Sequence, residues 1–221
     1  MSAQRQLFKQ RCDELLRRWV RDPLLPVQVE APQALGRLAD IDLGVSSTTL
    51  QLGRRDERNA VQVSPIGVGG SHSASLWVKA SYEGYRKAFK AFLVEDYVLP
   101  EASINLTGFD VDHLLNRKRS PGGSTYLRLE AIPSTINQAW GAVFEKPASN
   151  QGFYANQSRT RRTLSWPIAA KLAWIAPPNA GEGTAGIARV ASGLAAYGLD
   201  RQDAITGLTN MFEFANTDPV S

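Results

Sequence analysis

An acid followed directly by a histidine, Asp112-His113, sits inside the apolar run from Gly108 to Leu115. An imidazole changes charge near neutral pH and suits proton transfer, and an adjacent carboxylate can orient the ring or hold a cation. The run reads as a strand. Pro121-Gly122-Gly123 marks a loop, and Tyr126 to Ile132 reads as a second strand. Pro133-Ser134 then opens a helix through Ile136, Asn137, Trp140, Val143 and Phe144, with Ser134 as its cap. Strand, loop, strand and helix form a ββα unit. Side chains alternate along a strand, so Asp112 and His113 meet one ligand only if the strand is distorted at that point. The plain alternative is a structural histidine bonded to its neighbouring acid.

Phe109-Asp-Val-Asp-His-Leu114, followed 24 positions after the histidine by Asn137 near a helix start and by Gly141 close behind, resembles the HNH endonuclease superfamily. The Asp-His…Asn form of the target-strand-cutting domain in RNA-guided nucleases is the variant it is most similar to. The resemblance covers roughly residues 109 to 146. It implies that His113 is the general base for an attacking water and that Asp112 and Asn137 hold one divalent cation. Two oxygen ligands completed by phosphate and water suit Mg²⁺ or Mn²⁺ better than zinc. Arg117, just past the base, joins the catalytic group, and Arg119, Arg159, Arg161 and Arg162 are the expected substrate-phosphate contacts. The sequence departs from the family in one place. No Asn lies between Asn116 and Asn137, so Ser124, Thr125 or a backbone carbonyl would have to orient the histidine.

The rest of the chain must position this unit. Residues 4 to 21 carry Leu7, Leu15, Leu16 and Trp19 at helical spacing and stop before Asp22-Pro23. The Pro-rich stretch 22–34 reads as extended, with a helical turn near 34–39. Ile41 to Leu52 and Ala60 to Ile66 read as strands around a hairpin loop at Gly53-Arg54-Arg55-Asp56. A Gly67–Gly70 loop, a strand Ser73–Ala80 and a helix from about Tyr82 to Tyr97 follow; that helix reads as core-packing with a solvated basic side. Residues 148–164 read as a long polar loop, Trp166–Ile175 as a short apolar element, and 187–197 and 201–214 as two helices after a linker. The expected fold is α+β, an HNH-like ββα-metal unit embedded in additional strands and helices. Three segments are expected: 1–100, an α/β region packing on the nuclease core; 101–176, the core with its basic loop; and 177–221, a helical segment.

Composition narrows the class. Of 221 residues, 43% are apolar and 21% charged, ordinary for a globular protein. No apolar run approaches a bilayer span, no signal-peptide core precedes Asp22, and one cysteine, Cys12, excludes a disulfide framework or Cys-cluster zinc site. His72 in its glycine-rich setting lacks the Lys-Ser/Thr of a P-loop, and Trp166 and Trp174 read as core. From His113 to Lys171 there are nine Lys/Arg against two Glu, whereas the segment after Ala180 is acidic. A basic middle suits a polyanion. These features lead to an expected metal-dependent endonuclease, acting on DNA rather than RNA on family grounds, in the style of an antibacterial toxin with an acidic immunity partner. It would be made in the cytoplasm and exported without a signal peptide. The competing readings are a non-catalytic nucleic-acid- or protein-binding domain and a phage or defence HNH endonuclease.

Overall fold

Helix α1 spans Ala3–Arg21 and starts where Ser2 accepts a hydrogen bond from the Arg5 N–H at 3.3 Å. Its apolar positions bury one face through Phe8, Cys12, Leu15, Leu16 and Trp19, and it ends where Asp22 turns into extended backbone. The computed structural model describes residues 2–30, 47–51, 59–65, 74–117, 125–149, 161–179 and 181–216. After α1 come strands β1 (Pro26–Val29), β2 (Ser47–Gln51), β3 (Ala60–Pro65) and β4 (Ser75–Lys79), then helix α2 (Tyr85–Tyr97) and a 3₁₀ turn at Glu101–Ser103. Strands β5 (Phe109–His113) and β6 (Tyr126–Pro133) lead into helix α3 (Ser134–Trp140), which continues through a π turn (Gly141–Glu145) into Lys146–Ser149. Strand β7 (Arg161–Thr163) and helices α4 (Trp166–Leu172), α5 (Gly183–Ala195) and α6 (Arg201–Asn216) complete the order. The architecture is α+β, as the sequence predicts.

Strand β6 organises the sheet. Every one of its residues is buried, as befits a strand covered on both faces. One of its edges pairs antiparallel with β4 along Tyr126–Leu129. The other edge is divided between β1, at Tyr126 and Leu127, and β5, from Leu129 to Pro133. The remaining strands extend outward in the order β2-β3-β4-β6-β1-β7. Residues from 1–100 and 101–176 therefore share one sheet. The C-terminal helices join its main core: Val190, Ala191, Leu194, Ala204 and Leu208 pack with Leu15, Leu127 and Trp140. A second cluster holds Phe8, Phe89, Phe92, Phe109 and Leu129.

Several local readings change. The Pro-rich stretch contains β1, because Pro26 can open a strand without using its missing donor. Residues 161–163 of the expected polar loop are a strand paired with β1, and Ala148 is fully buried. Ser134 is the first residue of α3 and Pro133 takes the cap position, so the Ser134 hydroxyl is spent elsewhere. The turn at 34–39, the loops at 53–56 and 67–70, and His72 lie outside the described residues. Cys12 is a buried free thiol, and burial pushes its pKa far up. Trp166 packs edge-on against Trp19 at 4.8 Å, whereas Trp174 is half-buried beneath the Arg5 guanidinium.

Candidate functional site

Strand β5 alternates cleanly. Phe109, Val111 and His113 are buried, while Asp110 and Asp112 are half-buried between them. Its register against β6 runs unbroken from Phe109↔Pro133 to His113↔Leu129. No bulge re-aims either member of the Asp112-His113 pair, so the two side chains leave the strand on opposite faces.

On the first face, Asp110 accepts from the Ser134 hydroxyl at 2.9 Å and from the Asn137 side-chain amide at 3.2 Å. Two residues further along, Asp112 meets the Lys171 ammonium at 2.5 Å. Lys171 also donates to Glu145 at 2.8 Å. The π turn Gly141–Glu145 widens the backbone just where Glu145 is presented, a distortion often retained for local function. The Lys171 side chain is 1% exposed, against 13% for Asp112 and 16% for Glu145. Burial opposes its charge, but Asp112 and Glu145 more than offset this, so the ammonium is held above its ordinary pKa. Burial pushes Asp112 up to about 6, with Glu145 and Asp110 adding repulsion and Lys171 pulling the other way. Two carboxylates, Asp112 and Glu145, hold the one ammonium, and Asp110 lies further along the same face, which leaves an excess of negative charge there.

On the second face, His113 is 8% exposed and lies edge-on to the Tyr85 ring of α2, centroid to centroid 4.6 Å. Its Nε2 is buried without a hydrogen-bond partner among the described residues. Burial chiefly, then the charges of Arg117 and Lys171, lower its pKa to about 3, so the ring is neutral at neutral pH. Arg117 pairs with Glu83 at 3.0 Å and lies over the Tyr85 ring.

The structure thus brings Asp112 and Asn137 onto one face and places His113 and Arg117 on the other. Two of the expected roles are also taken up internally. The Asn137 amide serves Asp110, and the cation that Asp112 holds is Lys171. Arg119, Arg159 and Ser124 lie outside the described residues, as do the side chains of Arg161 and Arg162, whose backbones pair with Val29 and Gln28 on β1. Thr125 is buried. The basic middle is also less of a surface than its charge count implies, because Arg128 and Lys171 are inside the fold.

Sequence reasoning passed over Asp110, Glu145 and Lys171. Two signals were available. Asp110 and Asp112, two apart on a strand, must share a face. Lys171 is the lone charge in Trp166–Ile175, and a lysine inside an apolar helix needs an acid partner.

A divalent cation suits this face in charge, since carboxylates outnumber the single ammonium. Among the described residues no three His, Cys, Asp or Glu side chains converge as a metal-holding group. The set implied by the resemblance is smaller, one carboxylate and one amide. No family model, curated protein or solved structure matches the chain.

Proposed function

We propose that the chain is a metal-dependent endonuclease of the Asp-His…Asn kind, hydrolysing phosphodiester bonds in DNA. One observation carries the reading: Asp112 and Asn137, 25 positions apart in sequence, lie on the same face of a contiguous strand–strand–helix unit. Asp112 and the Asn137 amide oxygen are the residues that would hold Mg²⁺ or Mn²⁺, with Asp110 and Glu145 supplying the surrounding negative charge. The cation, when bound, supplies Lewis-acid stabilisation of the phosphate and leaving oxygen. His113 is neutral and its Nε2 has no partner among the described residues, although a pKa of about 3 makes the ring a weak proton acceptor. Its place on the other face is the feature that runs against the assignment. The reading requires the end of β5 to turn so that the ring reaches the Asp112 side. An antibacterial setting with an acidic immunity partner is an extension of this proposal.

The second reading, a non-catalytic nucleic-acid- or protein-binding domain, is favoured by that placement and by Lys171 already neutralising Asp112. Cleavage of supercoiled plasmid separates the two. The nuclease reading expects nicking by the wild-type protein in Mg²⁺ or Mn²⁺, none in EDTA, and its loss in Asp112→Asn with circular dichroism unchanged. Intact plasmid and intact RNA under all metal conditions would leave the binding domain as the account of this fold.

A further inference from the structure

Helix α2 covers the His113 face of β5, and its exposed side is basic. Arg86, Lys87 and Lys90 fall at positions i, i+1 and i+4, so one side of the helix presents all three. They line a groove of about 690 Å³ whose opposite wall is the segment after the 3₁₀ turn, including Asn105 and Thr107. Arg86 is fixed there, because its guanidinium donates to the Phe109 carbonyl at 3.2 Å. Neither Lys87 nor Lys90 makes an ion pair or a side-chain hydrogen bond to a described residue. Glu101 is the one acid in the wall, so three cations face one carboxylate. Unpaired ammonium groups facing polar side chains across an open groove fit a ligand that brings repeated negative charge and accepts hydrogen bonds.

The groove is also aligned with the histidine. It opens beside Phe109, where Arg86 is anchored, and Tyr85 of the same helix lies on His113 at the far end of β5. Four strand steps separate those two residues, about 14 Å. That span corresponds to about four base-pair steps measured along a duplex axis, at about 3.4 Å each. Arg117, over the Tyr85 ring at the histidine end, is paired with Glu83, so the unpaired positive charge is that of the groove itself.

We propose that the groove between α2 and residues 101–107 binds the phosphodiester backbone of nucleic acid, with Lys87, Lys90 and Arg86 as the phosphate contacts. The proposal rests on the reading of the chain as a nucleic-acid enzyme, but it concerns binding and is tested without cleavage. Fluorescence anisotropy of a labelled 20-mer duplex in EDTA reads it directly. Lys87→Ala/Lys90→Ala, both on the outer side of a helix that alanine favours, is compared with Lys79→Ala/Lys146→Ala, which removes the same charge elsewhere. Losing two phosphate contacts lowers the slope of log affinity against log salt by about 2, which weakens binding on the order of tenfold to a hundredfold at 0.1 M salt. The control pair is expected to change it far less, and Glu101→Gln to tighten it. No binding by the wild-type protein, or equal losses in the two double variants, would overturn the groove. Binding that depends on Lys87 and Lys90 in a protein that cleaves nothing would uphold the groove and remove the nuclease reading.

Discussion

Lys171→Met is expected to lose about 3–5 kcal/mol of stability at pH 7.5, the loss typical when one partner of a buried ion pair is removed. The ammonium sits between the Asp112 and Glu145 carboxylates at 2.5 and 2.8 Å and is almost wholly shielded from water. Methionine fills a similar volume, so packing changes little and the loss is electrostatic. The pH dependence follows from the direction of the Asp112 shift. Its folded pKa of about 6 lies above the ordinary 3.8, so the folded state binds the proton more tightly than the unfolded chain does. That contribution is fully present below 3.8 and is lost as pH rises through about 6. Without Lys171 the carboxyl rises further, so the deficit of the variant is largest at pH 7.5 and shrinks at pH 5. Urea denaturation at the two pH values measures this. A deficit below about 1 kcal/mol, or one independent of pH, would show that Lys171 does not hold the two acids.

Arg11→Met is expected to cost as much, about 3–5 kcal/mol, for a related reason. Arg11 on α1 forms a fork to both oxygens of Glu130 on β6, at 3.0 and 2.9 Å, and each side chain is 1% exposed. The guanidinium also donates to the Tyr97 hydroxyl and the Ala74 carbonyl and lies over the Phe92 ring. Burial works against the charge, yet Glu130 and Tyr97 raise the guanidinium above its ordinary range. Removing Arg11 leaves the Glu130 carboxylate in the core with Arg128, at 3.6 Å, as its remaining ion-pair partner among the described residues. Arg11→Met/Glu130→Met is expected to recover most of the loss, because an apolar pair of similar volume avoids the cost of stranding one charge. A double variant no more stable than Arg11→Met would instead place the cost in the Tyr97, Ala74 and Phe92 contacts.

Local patterns made much of this architecture legible. Helix α1, strands β3 to β6 and the C-terminal helices announce themselves through helical spacing, strand alternation and flanking Pro or Gly, all of which act over a few residues. Strand β7 was hidden because Arg161-Arg162-Thr163 has no apolar alternation; it forms through backbone pairing with β1 rather than through its side chains. The site divides in the same way. The ββα order follows from short-range periodicity, whereas the pairing of Asp112 with Asn137 came only from the family resemblance. The Lys171–Asp112–Glu145 bridge does not, since Lys171 lies 59 positions after Asp112 and meets it only when α4 docks beside β5. The alternation rule also carried a warning that the family likeness does not contain. Adjacent strand residues point apart unless a bulge intervenes, and the β5–β6 register has none.

The position of His113 makes its replacement the most direct test of the nuclease account. The measurement is the initial rate of plasmid nicking in Mg²⁺ by the wild-type protein and by His113→Ala, with folding checked by circular dichroism. The account predicts metal-dependent nicking that falls by about 10²–10⁴-fold in the variant, the usual contribution of a general base. Nicking that proceeds equally well without the imidazole, or a wild-type protein that does not nick at all, would contradict it and return His113 to a structural place against Tyr85.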